Sequence, residues 1–451
     1  MSLIDGNTCG QAGRDRRWPS PGYSWYMVAL LTIVYIFSFI DRFILGLLIQ
    51  PIQADLGLTD TQIGLLLGPA FAIFYVLMGL PFGWLADRKR RTFIVAAGLA
   101  IWSAATAVSG LARSFLALFI ARMSVGVGEA SLSPCAMSLM ADCFPKEKRG
   151  KPIAFYSMAI SLGAGIAALT GAAVIAWAMQ SDYVSVPGLG DLAPWRVSLL
   201  VVGLPGLLLV PLVLFLREPE RTVDTVTSNA QGIGYRAVFS YIRSRPASLF
   251  GVVWVFGYVI LIGFSSSWGA AAFARTWGWS PVQYGQAIGI LFIVLGPLAV
   301  NLGGWMSDRL LQKGRTAAPL LVGLYGVPVM TVAGVIWPLM PSAGLALIFL
   351  GVMLAAVALS TATGVTALLN IIPSNIRGQS VAVYYMATAL LGQGLGPLCI
   401  GLMNDYVFGY DNLRYSMAFL PVIFGIPLFL AVPWILKKYR QSFEELNGPQ
   451  S

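Results

Sequence analysis

Residues 83–91 read Gly-Trp-Leu-Ala-Asp-Arg-Lys-Arg-Arg, and residues 304–309 read Gly-Trp-Met-Ser-Asp-Arg, an offset of 221. A second pair keeps nearly the same rhythm. Pro145-x-x-x-Arg149-Gly150-x-x-x-Ala154-x-Tyr156-x-Met158-Ala159 returns as Pro373-x-x-x-Arg377-Gly378-x-x-x-Ala382-x-Tyr384-x-Met386-Ala387, an offset of 228. Two independent matches at near-equal spacing mark an internal duplication. Paired bundles with a site between them are the architecture of alternating-access carriers. A duplicated channel or scaffold is the other reading of the repeat alone.

The chain around these motifs is apolar. Of 451 residues, 57% are hydrophobic and 11% charged, against about a quarter charged in an ordinary soluble domain. So few charges leave lipid as the solvent for most of the surface. Histidine is absent, so enzymes that need a catalytic histidine are excluded and proton chemistry must run on carboxylates. The four cysteines, Cys9, Cys135, Cys143 and Cys399, have no metal-ligand spacing and read as small buried residues. The first apolar run follows Arg14, Arg16 and Arg17 and is too long for a signal peptide, so it is expected to be a retained helix.

Twelve membrane-spanning helices are expected, at about 24–50, 61–86, 92–112, 115–141, 152–180, 195–216, 247–274, 281–305, 317–339, 342–370, 378–404 and 413–436. The weakest division is between the ninth and tenth, at Pro338–Ser342. With twelve alternating spans, 23 of the 29 Lys and Arg residues fall on one side. The positive-inside rule then places both termini in the cytoplasm of a cell inner (plasma) membrane, and accounts for the net charge of +10 without nucleic acid. The expected organisation is a six-helix half over 1–216, a linker over 217–246 with a short amphipathic helix, and a second six-helix half over 247–451.

The G-x-x-x-D-R-x-R-R run after the second span, with its G-x-x-x-D-R copy after the eighth, resembles the signature loop of the major facilitator superfamily. Within it, Asp41-Arg42-Phe43, the run Arg122-x-x-Val125-Gly126-Val127-Gly128-Glu129-Ala130-Ser131, Ala141-Asp142-x-Phe144 and Phe155-Tyr156 resemble the Spinster group. That resemblance implies an all-α fold of twelve transmembrane helices in two pseudo-symmetric bundles. It also implies transport of lysolipids or sphingosine-phosphate-like molecules with protons as coupling ion, not catalysis. No cofactor, metal or nucleic-acid partner is expected, and a monomer in the bilayer is. A multidrug or sugar carrier of the same fold, or an uncoupled facilitator, is the alternative. The fifth span carries Gly163, Gly165 and Gly171 but lacks the Gly-Pro pair of the superfamily's antiporter signature.

Four ionisable residues stand out deep inside expected spans: Asp41 and Arg42 in the first, Arg122 and Glu129 in the fourth. Such groups are costly in hydrocarbon and usually face a cavity; in the superfamily fold these two helices line the central one. At ~1.5 Å per residue, Glu129 lies about 21 Å into its span, near mid-membrane. Arg122 and Glu129, seven apart, share a helix face, whereas the neighbours Asp41 and Arg42 do not face each other. Glu129 and Asp41 are read as proton carriers, with Arg122 as their switching partner or the ligand of an anionic headgroup. The rival is a static ion pair between the two helices. Asp60 either caps the second helix, the preferred reading, or pairs with Arg122 in an outer gate.

The second half has no deep charge. Its expected contribution to a substrate cavity with Arg42 and Arg122 is Trp254, Tyr258, Phe264, Ser360 and Thr361. Asp87, Arg88, Arg91, Asp308 and Arg309 match the superfamily's inner latch, which implies a gating role for them.

Overall fold

The computed structural model describes residues 18–145, 148–221, 235–373 and 376–447. Arg14, Arg16, Arg17, Cys9, Lys146 and the Thr/Ser/Asn-rich part of the linker lie outside the described residues. Among the described residues, twelve helices are long and apolar enough to span a membrane: α1 (Pro21–Leu47), α2 (Asp60–Arg88), α3 (Arg91–Ser109), α4 (Phe115–Cys143), α5 (Gly150–Ala178), α6 (Pro194–Leu214), α7 (Pro246–Trp277), α8 (Pro281–Gln312), α9 (Ala318–Leu339), α10 (Ala343–Leu369), α11 (Arg377–Phe408) and α12 (Tyr410–Leu446). The expected count and the narrow break between α9 and α10 both hold. Large apolar side chains stand on the outside, Leu208, Phe215 and Leu430 among them, as a lipid-facing surface requires.

The duplication shows in the helix ends. Thr59 and Ser280, 221 apart, each form a capping box, with Gln62 and Gln283 as reciprocal partners. Ser114 and Ser342, 228 apart, accept hydrogen bonds from Ala117 and Leu345 at the starts of α4 and α10. The repeated arginines also act alike. Arg149 Nε donates to the Phe144 carbonyl (3.0 Å) and Arg377 Nε to the Ile372 carbonyl (3.4 Å). Each satisfies a carbonyl left open where the preceding helix ends.

Within the first bundle α1 packs on α5, α3 on α4 and α6, and α2 on α4; within the second α9 packs on α10 and α12, and α7 on α11 and α12. The bundles meet chiefly through α5 against α8 and α2 against α11. A helix over Tyr235–Ser244 precedes α7, and its Tyr241 hydroxyl donates to the Ile371 carbonyl at 2.6 Å. Between α5 and α6 lies a small antiparallel hairpin, Val184–Val186 with Gly190–Leu192, that the sequence reading lacked. Its turn runs through Pro187 and Gly188, and three-residue strands are too short to show alternation.

Candidate functional site

The four charges within the spans come together. Both Nε and one terminal nitrogen of Arg42 reach Glu129 Oε2, at 2.7 and 2.5 Å. The guanidinium lies 4.6 Å from the ring centre of Phe71, 5.2 Å from Tyr75 and 5.6 Å from Phe39, so aromatic faces take the place of water around it. Glycines on α4 fix this alignment. A Cβ on Gly126 would lie 2.6 Å from the Phe71 carbonyl oxygen, and one on Gly128 2.7 Å from that of Gly98. The α4 backbone is thereby seated against α2 and α3, with the Glu129 carboxylate on Arg42 of α1.

Arg122 has a different partner from the expected one. It donates to the Asp41 backbone carbonyl at 3.1 Å and lies 5.7 Å from the Phe71 ring, and no hydrogen bond or ion pair joins it to Glu129. In this conformation Arg42, rather than the expected switching partner Arg122, holds Glu129. Sequence spacing showed that Arg122 and Glu129 share a face, but not that an arginine from α1 would enter between them. Asp41, Arg122 and Glu129 are 3%, 5% and 2% exposed. Asp41 Oδ1, Glu129 Oε1, Arg122 Nε and the Ser38 hydroxyl are buried without a well-formed hydrogen bond among the described residues, although Ser38 lies beside Glu129 and Thr106 beside Asp41. Each such group costs about 1–3 kcal/mol. Packing alone does not account for a cluster of four.

The second bundle divides the remaining predicted residues. Tyr258 is 2% exposed, its hydroxyl on Thr331 Oγ1 at 2.5 Å and near the Pro421 carbonyl at 3.4 Å. Ser360 is fully buried and donates to the Gly323 carbonyl at 3.3 Å. Both lie in seams between helices of that bundle, which removes them from the cavity lining. Trp254 and Phe264 are half-buried, and Thr361 is exposed, its hydroxyl bonded to Val357 of its own helix. Tyr385 on α11 is 57% exposed.

Between described residues, the hydrogen bonds and ion pairs joining the two bundles all lie at the end away from the basic loops. Arg275 at the end of α7 grips both carboxylate oxygens of Asp60, at 2.7 and 2.8 Å. Gln53 Nε2 (2.6 Å) and Asn404 Nδ2 add hydrogen bonds to the same carboxylate, and the Arg275 guanidinium stacks 3.8 Å from the Tyr410 ring centre. Asp405 accepts from the backbone nitrogens of Asp60 (3.2 Å) and Thr61 (2.7 Å), so a carboxylate of α11 sits on the positive end of α2. The backbones are equally close: a Cβ on Gly68 would lie 2.5 Å from the Gly394 carbonyl oxygen, and one on Gly401 2.3 Å from that of Asp60. The preferred reading of Asp60 as a cap is therefore corrected. Thr59 is the cap, and Asp60 joins Arg275 rather than Arg122.

At the basic end Asp87, Arg88, Asp308 and Arg309 are exposed. Arg88 stacks on Trp84 (4.2 Å) and Arg309 on Trp305 (5.0 Å), again 221 apart. Arg91 is different. It is 1% exposed and bonded to Asp142, to Glu218 Oε1 (2.8 Å) and to Ser138 (2.8 Å), and is thus an internal tie of the first bundle to the start of the linker. Arg221 adds bonds to the carbonyls of Asp87 and Lys89.

Residues 31–354 match the Major Facilitator Superfamily. An MFS-type efflux pump of Mycolicibacterium smegmatis is 27% identical over 390 residues, covering 85% of this chain and 85% of that protein. Protein spinster of Drosophila melanogaster is 25% identical over 403 residues, covering 85% of this chain and 62% of the fly protein. Among solved structures, a bacterial homolog of the human lysosomal transporter Spinster, inward-facing and unoccupied, superposes with a TM-score of 0.79 at 25% identity. It covers 96% of this chain and 100% of that one.

Proposed function

The chain belongs to the major facilitator superfamily, a family of transporters rather than enzymes, and we propose that it is a proton-coupled carrier of an amphiphilic lipid. A lysophospholipid or a sphingosine-phosphate-like molecule has the right chemistry: one anionic head for Arg42 and an apolar body for the second bundle, which has no deep charge. The kinship with Spinster proteins supports this class.

One observation carries the coupling. The Arg42 side chain keeps 16% of its surface accessible, whereas that of Glu129, behind it, keeps 1%. An anionic head reaches Arg42 first and competes with Glu129 for the same guanidinium. A carboxylate deprived of its cation in a water-poor interior takes up a proton rather than remain charged. Release of the head restores the ion pair and expels the proton. Asp41, one residue away with an oxygen that lacks a well-formed hydrogen bond, is the second proton site, and Arg122 holds the α1 backbone while Arg42 changes partners. Asp60 with Arg275 gates one end; Asp87, Arg88, Asp308 and Arg309 gate the other. The bundles, whose hydrogen bonds and ion pairs between described residues lie at the far end, fit an inward-facing state with the basic loops and both termini in the cytoplasm of a plasma membrane. The working organisation is a monomer with bundles over 1–216 and 247–451 and a linker over 217–246.

The test is uptake of labelled lysolipid into proteoliposomes under an imposed pH gradient. Glu129→Gln and Asp41→Asn should abolish the gradient's effect while leaving downhill exchange. Unchanged coupling in both variants would refute the proposal. Export of drugs is the second reading, in which the mycobacterial efflux pump supports the direction alone; drug flux that lysolipid does not compete with would favour it.

A further inference from the structure

We propose that the basic end of the second bundle holds a separate binding site for the phosphate headgroup of an anionic phospholipid, between Arg315 and Arg440. Arg315 lies in the α8–α9 loop and Arg440 near the end of α12. They line one cavity of about 310 Å³ with Gly314, Thr316, Ala317 and Leu321. Both arginines are exposed, and neither side chain has a hydrogen-bond or ion-pair partner among the described residues. No carboxylate lines this cavity. The adjoining one, of about 410 Å³, shares Arg440 and adds Lys437, but Glu444 lines it as well, so positive charge is concentrated in the first.

Two guanidiniums on one cup match a phosphate, which arginine binds through paired parallel hydrogen bonds. The Thr316 hydroxyl supplies a neutral donor. The first turn of α9 begins beside it with no side chain capping its N-terminus, which adds partial positive charge.

The apolar half of the ligand has its surface too. On α12 the exposed residues Ile426, Phe429, Leu430 and Trp434 run toward the cationic cup, and Pro433 and Leu436 stand on the wall shared through Arg440. An acyl chain along this face puts its phosphate at the cup, with Trp434 at the level where tryptophans meet headgroups. Free phosphate shares the headgroup's chemistry but leaves the apolar face unused, so the lipid is the occupant assigned here. A lipid so placed ties the α8–α9 loop to α12. The site is remote from Arg42 and independent of the transported substrate.

The test uses the purified full-length protein in neutral detergent, titrated with dioleoyl phosphatidylglycerol or dioleoyl phosphatidylcholine. Bound lipid is counted by native mass spectrometry. Phosphatidylglycerol should bind roughly tenfold tighter, the scale expected for two cations near an anionic headgroup. Arg315→Gln with Arg440→Gln should erase the preference. Lys148→Gln with Arg243→Gln, which removes two exposed cations elsewhere at the basic end, should keep it. No preference in the wild type, or equal loss in both double variants, overturns the assignment. Displacement of the lipid by millimolar inorganic phosphate overturns the lipid in favour of a free anion.

Discussion

Replacing Asp60 with asparagine should open the far end of the molecule. Asp60 and Arg275 form a two-pronged pair, side chains 0% and 5% exposed, that joins α2 of one bundle to α7 of the other. When the bundles part at this end, the two charges separate into water and the pair contributes nothing. Its whole worth therefore falls on the closed state. Removing one partner of a buried pair costs about 3–5 kcal/mol, and asparagine, which keeps the shape and one acceptor, should lie near 3 kcal/mol. At about 1.4 kcal/mol per factor of ten, the closed-to-open ratio drops roughly a hundredfold, enough to bring a population of 99:1 near parity. Spin labels on Arg113→Cys and Asp411→Cys, exposed positions on the two bundles at this end, would report the distance distribution by pulsed electron resonance. A second, longer population should appear in Asp60→Asn. Adding Arg275→Met, which removes the stranded cation, should recover part of the closed population, a non-additivity that marks direct coupling. An Asp60→Asn distribution identical to wild type would show that the pair does not hold the gate.

Three further outcomes follow from the same contacts. Arg42→Lys retains the charge but loses the fork on Glu129 and the flat stack on Phe71, so lysolipid uptake should fall about tenfold or more; wild-type uptake would remove Arg42 from the switch. Arg91→Met removes the buried guanidinium from Asp142, Glu218 and Ser138 and should destabilise the first bundle by about 1.5–3 kcal/mol, read as a lowered thermal midpoint in detergent, whereas Lys148→Gln at an exposed position should leave the midpoint in place. Gly401→Val puts branched carbon against the Asp60 carbonyl, where a Cβ alone would already lie at 2.3 Å, and should shift the spin-label distances at 113 and 411 outward as Asp60→Asn does.

The two halves share helix ends and loops but not charges. Glu129 has Val357 at the corresponding position 228 residues on, and Arg122 has Leu350. Asp142 corresponds to Asn370, and Arg91, by the offset of 221, to Gln312. One copy of an ancestral bundle thus holds the titratable site and the buried tie, and the other presents an uncharged wall. That asymmetry could be read directly once the repeats were aligned. The capping boxes at Thr59 and Ser280 are contacts between residues three apart, yet the sequence reading set the first cap one residue on, at Asp60.

Other features were not legible, for identifiable reasons. Tyr258 and Ser360 carry polar groups on apolar helices, and composition alone cannot tell a hydroxyl facing a cavity from one satisfied across a helix seam. Arg275 looked like an ordinary loop cation because its partner, Asp60, is 215 residues away. Arg91 sits in a run of four basic residues, Arg88 to Arg91, whose other members are exposed, and only its burial sets it apart.

Local apolar runs and the internal repeat were enough to establish that this protein crosses the membrane twelve times, as two copies of one bundle with a few acids and bases in the first. Hydrocarbon leaves backbone groups no partner but their own helix, so span number and register follow from residues close together in the chain. Which charge meets which was settled only by the packed helices: Arg42 on Glu129, Arg122 on the α1 backbone, Asp60 on Arg275. Those choices depend on the rotation and tilt of whole helices. Close glycine contacts far apart in the chain set these angles, and no local pattern of residues encodes them.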